Sequence, residues 1–287
     1  MKSTKISARI AAVVAVLVTT CFAATTPALE FPRGLAVDSK GNLYVANSGG
    51  NNILVYGSGY VLQKSKTITS GISTPWGVAF DPIGDLWVAN NGSNSITEYN
   101  AGAQYTITTI SNGILSPEAL VFDSAGNLWV QNNATYLTAY ESARTYGAPV
   151  NLLQTITPGG TIYGLAFGAG ALSIGTPSEV LMNAEGSALI NGLLNPIKLS
   201  SNTGFAMACD ARGRIYVGNL DNSVILVTPA QTNTGEGTII VNPFLQLPFA
   251  PSGIAIDNAR GRIYFSNYNG NSISVYSTAG ALLHVIQ

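Results

Sequence analysis

The sequence predicts an all-β protein, a six-bladed β-propeller of four-stranded antiparallel blades. Three observations predict this fold: one segment recurs six times, each copy carries four short strand signals, and no copy shows helical periodicity. Successive copies lie 43, 42, 45, 42 and 47 residues apart. The positions that anchor them are Asp38, Asp81, Asp123, Gly168, Asp210 and Asp257.

The first strand of each copy alternates large and small apolar residues, as in Leu35, Ala36 and Val37. This alternation indicates a strand buried on both faces, which blades stacked around an axis require. An Asp-x-x-Gly turn follows, in which the carboxylate accepts turn amides. The second strand carries a large aromatic residue, suited to the wider space between blades away from the axis. These aromatic residues are Tyr44, Trp87, Trp129, Tyr216 and Tyr264.

The fourth copy departs from the pattern. Gly168 stands at the anchor position and Ser173 at the aromatic position. We therefore expect the fourth blade to be the least regular. The last copy ends on its own fourth strand, so we expect the first and last blades to meet by packing rather than by exchanging a strand.

The N-terminal residues 1–23 predict a signal peptide. A basic stretch with Lys2, Lys5 and Arg9 precedes an apolar run that is too short to span a bilayer, and small residues lead to Ala23. A lipoprotein would instead need Cys21 as the lipidated residue, and the residues before it lack the small side chain normally found there. The sequence thus predicts a secreted protein, extracellular or periplasmic, with the propeller over residues 24–287.

The amino-acid composition limits the classes of partner that the protein is expected to bind. Hydrophobic residues make up 46% of the chain and charged residues 9%, which is typical of a globular protein. Without residues 1–23, 10 Lys and Arg stand against 14 Asp and Glu. No basic stripe remains to bind phosphates, so nucleic acid is not an expected partner. We expect no membrane span, because no later segment is long and apolar enough, and we expect a monomer.

The repeat unit resembles the NHL repeat over residues 31–287. Its first copy runs from Gly34-Leu-Ala-Val-Asp38 to Gly41-Asn-Leu-Tyr-Val-Ala-Asn47. The resemblance implies a propeller and leaves the function open, because the repeat is specific for the fold alone. Asparagine stands where the family usually has aspartate at the end of the second strand. These asparagines are Asn47, Asn90, Asn132, Asn219 and Asn267.

The mouth of the central channel is the expected binding face, because the loops before the first strand and after the second strand emerge there. The residues five positions before each anchor are Arg33, Trp76, Glu118, Tyr163, Phe205 and Ser252. They could form a pocket that stacks a ring and holds a polar group between Arg33 and Glu118. Alternatively, the aromatic side chains plug the channel and Arg33 pairs with Glu118 across it.

The five asparagines form a second ring outside the first. They could bind a sugar together with the aromatic side chains. Asparagine also caps turns and tolerates left-handed backbone, so these residues could equally serve the loops that follow the second strands. Both rings are candidate ligand-binding residues.

The sequence lacks most of the residues that enzymes with this fold would need. The chain distantly resembles gluconolactonase and senescence-marker-like propellers, which implies a metal held by Glu, Asn and Asp. Only Glu118 matches such a channel position, and Arg33 stands where a Glu is expected. Propeller lyases rely on histidine, and His284 lies in an outer strand.

The sequence therefore predicts a non-enzymatic binding module with no catalytic residue, no metal ligand and no cofactor. Its expected partner is a protein, a small molecule or a carbohydrate. The alternative is a metal-dependent gluconolactonase-like hydrolase or a propeller lyase, with a divalent cation such as Ca²⁺.

Overall fold

A computed structural model describes part of the chain. The described residues are 27–100, 106–141, 152–156, 161–168, 171–176, 179–184, 194–198, 206–229 and 239–287. The predicted signal peptide, residues 1–23, lies outside them, and so does the candidate Phe205.

The described residues form six antiparallel sheets whose strands are neighbours in chain order. The first sheet contains β1 (Pro32–Val37), β2 (Leu43–Asn47) and β3 (Asn52–Tyr56). The second contains β4 (Pro75–Phe80), β5 (Leu86–Asn90), β6 (Ser95–Tyr99) and β7 (Thr106–Ile110). The third contains β8 (Pro117–Phe122), β9 (Leu128–Asn132), β10 (Tyr136–Tyr140) and β11 (Leu152–Ile156). The fourth contains β12 (Gly164–Gly168), β13 (Ala171–Gly175), β14 (Glu179–Ala184) and β15 (Leu194–Lys198).

The fifth sheet contains β16 (Ala206–Cys209), β17 (Ile215–Gly218), β18 (Ser223–Pro229) and β19 (Ile239–Gln246). The sixth contains β20 (Gly253–Asp257), β21 (Arg262–Asn267), β22 (Ser272–Ser277) and β23 (Leu282–Ile286). The helical elements of the described chain are two short 3₁₀ turns, Lys64–Lys66 and Asn91–Ser93. The protein is an all-β β-propeller.

The predicted set of six four-stranded blades is met only in part, because the first sheet has three strands. The chain after β3 runs beside it but forms only isolated bridges, Ile53 with Ile68 and Tyr56 with Leu62. The 3₁₀ turn Lys64–Lys66 separates these two bridges. That turn takes the backbone out of the extended conformation, so no continuous fourth strand can form there.

Six apolar cores hold the sheets together, and each draws its side chains from two neighbouring sheets. Alternate residues of β1 face opposite ways: Leu35 and Val37 join the core shared with the sixth sheet, and Ala36 joins the core shared with the second. The predicted strand aromatics are all buried, with Tyr216 fully enclosed. The two-sided burial predicted from the alternation is therefore confirmed.

The first and last sheets meet by packing and hydrogen bonds, as predicted. Leu35 and Leu54 share a core with Tyr264 and Ile273. Ser266 Oγ donates a hydrogen bond of 2.6 Å to the carbonyl oxygen of Arg33. The fourth sheet has all four strands, and its one register shift is no more than each other sheet shows, so its described strands do not reveal the expected irregularity. Within the described part of the chain, no helix is long and apolar enough to cross a membrane.

Candidate functional site at the channel mouth

A cavity of about 540 Å³ opens where the innermost strands begin. The channel-mouth residues that the structure describes all line it: Arg33, Trp76, Glu118, Tyr163 and Ser252. They converge because the repeat places each one at or just before the start of its innermost strand. The cavity size is within the range of small-molecule sites in proteins.

Arg33 lies between two aromatic rings. Its Cζ atom is 3.7 Å from the ring centroid of Trp76 and 4.4 Å from that of Tyr268. Phe31 extends this stack, with its ring centroid 4.9 Å from that of Tyr268. Burial lowers the pKa of Arg33, while Tyr268 and Glu118 oppose the change. The guanidinium is thus held by cation–π contacts, which strengthen as water is excluded.

Glu118 faces the cavity from β8. Its Oε2 atom accepts a hydrogen bond of 2.6 Å from Gln131 Nε2, and the same nitrogen donates to the Ile162 carbonyl oxygen at 3.0 Å. Burial raises the pKa of Glu118 to about 7, against the opposing effects of Gln131 and Arg33. Glu118 can therefore either donate or accept a hydrogen bond near neutral pH.

Two buried polar atoms of the lining make no hydrogen bond: the Nε atom of Arg33 and the Oε1 atom of Gln131. Buried polar groups without partners are uncommon in folded proteins and each calls for an explanation. Both atoms have almost no exposed surface, so a bound molecule could reach them only after a neighbouring side chain moved.

The channel-mouth side chains do not pair in the way that the plug hypothesis requires. Neither Arg33 nor Glu118 forms an ion pair with another described residue. Arg33 stacks on aromatic rings and Glu118 bonds to Gln131, so a cavity separates the two charges. Ser252 has a structural role, because its Oγ atom donates a hydrogen bond to the carbonyl oxygen of Pro32 at 2.9 Å.

The asparagine ring does not line the cavity. Asn47, Asn90, Asn132 and Asn219 are buried, and Asn267 is partly buried. The Oδ1 atoms of the first three accept hydrogen bonds from the backbone N–H groups of Glu30, Ser73 and Leu115, respectively. These bonds join the end of each second strand to the segment that leads into the same sheet.

Sequence reasoning missed Tyr268 and Gln131. Gln131 occupies a position where the other copies carry Ala46, Ala89, Gly218 or Ser266, so a long amide among small residues is the signal that could have revealed it. Tyr268 directly follows Asn267, in a loop whose sequence varies between copies. Its contact with Arg33 of the first sheet depends on the last sheet meeting the first.

Comparison with known proteins identifies the repeat. Residues 29–56 match the NHL repeat family. The protein is a β-propeller that carries an NHL repeat. No curated protein sequence matches the chain.

Solved β-propellers match this NHL-repeat propeller in structure over most of its length. A catalytically inactive histidine-to-alanine variant of Staphylococcus aureus virginiamycin B lyase, solved with quinupristin, is 13% identical with a TM-score of 0.62. The match covers 90% of this chain and 85% of that one. A streptogramin B lyase is 15% identical, with a TM-score of 0.61 and coverage of 92% and 84%.

The β-propeller domain of Cps50 (Swd1) from Myceliophteria thermophila is 10% identical. Its TM-score is 0.64, with coverage of 89% and 85%. At these identities the likeness concerns the fold alone.

Proposed function

We propose that this propeller is a secreted, non-enzymatic binding module that holds a small molecule, a carbohydrate or a protein segment in the channel-mouth cavity. One observation carries the proposal: the cavity brings an arginine between two aromatic rings to the same space as a carboxyl group whose pKa is about 7. Aromatic faces supply stacking area, and the two polar groups can orient a ligand.

The absence of an ion pair between Arg33 and Glu118 supports a ligand over a plug. A plug in which Arg33 and Glu118 paired would satisfy both charges within the protein. Here the aromatic side chain of Trp76 remains partly exposed beside the guanidinium. A ligand that stacks on this indole and accepts a bond from the arginine would complete the arrangement.

The alternative, a metal-dependent hydrolase or a lyase, is less well supported. Glu118 is the one acidic residue among the described side chains that line the cavity, and the cation Arg33 lines the same cavity. A divalent ion prefers several converging oxygen ligands, which this lining lacks. The S. aureus lyase loses its activity when one histidine becomes alanine. The single histidine here, His284, is exposed on β23 and stacks on Tyr60.

The rest of the proposal concerns architecture and location. We propose that the six sheets act as six blades of one ring, which the six inter-sheet cores support, one of them joining the last sheet to the first. Secretion is supported by the basic and apolar stretches within residues 1–23. An extracellular or periplasmic monomer would present the cavity to solutes or to a partner.

The substitution Trp76→Ala tests the pocket. The mature protein is first screened against sugars, lactones, small aromatic solutes and peptides by a thermal-shift assay. For a compound that binds, we expect Trp76→Ala to weaken binding by about 2 kcal/mol, because truncated aromatic anchors at binding sites typically cost this much. Calorimetric titration measures the loss.

Tyr60→Ala is the matched control, because Tyr60 also stacks on a neighbouring ring but does not line the cavity. It should leave the affinity unchanged. A Trp76→Ala protein that melts at a lower temperature yet binds as well as the unmodified protein would support the plug and contradict the pocket.

A further inference from the structure

The second blade carries an acidic cluster away from the cavity. Asp81, Asp85 and Glu98 each offer a carboxylate oxygen, and these three oxygens all lie within 4.8 Å of one another. Two oxygens bound to one calcium ion at 2.3–2.6 Å cannot be more than about 5 Å apart, so the spacing fits a shared ion of this kind. Asp85 and Glu98 are buried, and Asp81 is partly buried.

Glu98 adds an observation that is independent of the spacing. Glu98 is only 5% exposed, and no hydrogen bond or ion pair found in the described part of the chain involves its carboxylate. A largely buried carboxylate beside two aspartates, with no donor from the protein, is unfavourable unless a cation or water meets it.

In other blades, the residues equivalent to Asp81, Asp85 and Glu98 do not form a cluster of three carboxylates. The anchor Asp123 accepts a hydrogen bond from Asn127 Nδ2 at 2.9 Å, and Asp210 pairs with Arg214 at 2.6 Å. In the second blade, Asp85 occupies the position of Asn127. The anchor aspartates of the first and sixth blades also have partners of this kind, Asn42 and Arg260.

The strand register extends the comparison. Glu98 lies opposite Trp87 in the ladder, and Ala139 lies opposite Trp129. Both tryptophans donate from Nε1 to the anchor aspartate at 3.1 Å. The second and third blades therefore share the same aspartate–tryptophan contact and differ by two added carboxylates in the second.

We propose that Asp81, Asp85 and Glu98 bind a hard cation of the calcium class. Carboxylate oxygens are the ligands that such ions prefer, and a divalent charge would offset the repulsion between the three groups. Asp81 Oδ1 accepts the turn amides of Ile83, Gly84 and Asp85, which leaves Oδ2 for the ion beside its bond to Trp87. The ion would tie the first turn of the blade to its third strand.

Terbium luminescence tests the proposal on the mature protein. Trp87 contacts a proposed ligand, so excitation of its indole should sensitise emission from a bound Tb³⁺ ion, and Ca²⁺ should displace the signal. The double substitution Asp85→Asn with Glu98→Ala gives the second blade the residues of the third. We expect it to weaken Tb³⁺ binding by at least about tenfold, because affinity follows the number of charged ligands. Ca²⁺ should raise the Tm of the unmodified protein and not that of the variant.

Glu98→Gln provides a second variant of nearly the same shape, should the double substitution fail to fold, and it should also weaken Tb³⁺ binding. Asp221→Asn, on an exposed loop, is the control and should leave the titration unchanged. The proposal is overturned if the unmodified protein shows neither saturable emission nor a Ca²⁺-dependent Tm, or if the acidic-cluster variants titrate like the unmodified protein. It is also overturned if Glu118→Gln abolishes the signal, since the ion would then lie in the cavity.

Discussion

At the scale of single residues, the channel mouth shows how environment sets the chemistry of a side chain. Arg33 loses much of its hydration to two aromatic rings, and Glu118 loses much of its hydration to the cavity wall. The two charges affect each other across the cavity without forming a contact. A ligand that replaced the missing water could therefore interact strongly with both groups.

Glu118 should make stability depend on pH. Its pKa is about 7 in the folded protein, above its usual value of 4.5, so the folded state holds the proton more tightly than the unfolded state. The stabilisation is fully present below pH 4.5 and is lost as the pH rises through about 7. Glu118→Gln should remove this dependence and, above pH 7, raise the free energy of unfolding by about 1 kcal/mol, after allowance for solvent screening.

Urea denaturation across this pH range measures the effect. Glu98 titrates in a similar range, so the informative quantity is the difference between the unmodified protein and Glu118→Gln. A difference that stays constant with pH would show that the carboxyl group is solvated and that its pKa is ordinary.

At the scale of elements, buried asparagines join each sheet to the segment that enters it. Asn90, at the end of β5, accepts a hydrogen bond from the Ser73 N–H at 2.9 Å and donates to the Gly71 carbonyl oxygen at 3.2 Å. Gly71 and Ser73 lie just before β4. The amide thus fixes the entry of the innermost strand and, through it, the position of Trp76.

Asn90→Ala should lower the free energy of unfolding by about 1–3 kcal/mol, because it removes two partly buried hydrogen bonds that the side chain makes to the segment before β4. Asn267→Ala is the matched control. Asn267 is partly exposed, and its Oδ1 atom bonds within its own turn, to the Gly270 N–H at 3.0 Å. Chemical denaturation should therefore give a clearly smaller loss for Asn267→Ala, and equal losses would contradict this role.

The sequence predicted those parts of the site that the repeat places in phase. Arg33, Trp76, Glu118, Tyr163 and Ser252 meet because each lies five residues before an anchor. Tyr268 was not predictable, because the position directly after the second-strand asparagine carries no aromatic residue in the other copies, which have Ser48, Asn91, Asn133 or Leu220 there. The acidic cluster was missed because Glu98 reaches Asp81 only through the register that places it opposite Trp87.

The three-stranded first sheet was missed for a related reason. Val61 to Ile68 has enough apolar residues for a strand, and the sequence pattern does not reveal the 3₁₀ turn at Lys64–Lys66 that interrupts it. Local backbone choices of this kind depend on packing around the segment as much as on its own residues.

At the scale of the whole molecule, the propeller depends on contact between its first and last sheets. Ser266 Oγ bonds to the Arg33 carbonyl oxygen, and Ser252 Oγ bonds to the Pro32 carbonyl oxygen. The Arg33 side chain crosses the same junction to stack on Tyr268. The junction therefore supports both the fold and the cavity.

Ser266→Ala should accelerate unfolding by roughly tenfold and change the folding rate little, because contacts between such distant sheets form late. Thr138→Ala is the control: Thr138 accepts a hydrogen bond from Asn132 Nδ2 within one sheet. Stopped-flow kinetics in urea separates the two rates. Slower folding of Ser266→Ala with unchanged unfolding would place the junction in the folding nucleus instead.

The same junction has a consequence for biosynthesis. The residues that meet across it, Ser266 and Arg33, are 233 positions apart in the chain. The first sheet is therefore synthesised long before the sheet that covers it. Until the last sheet emerges, the apolar side chains of Leu35, Val45 and Leu54 lack the partners that bury them in the folded protein. We expect a general chaperone to bind this face during synthesis, and release to follow the emergence of the last sheet.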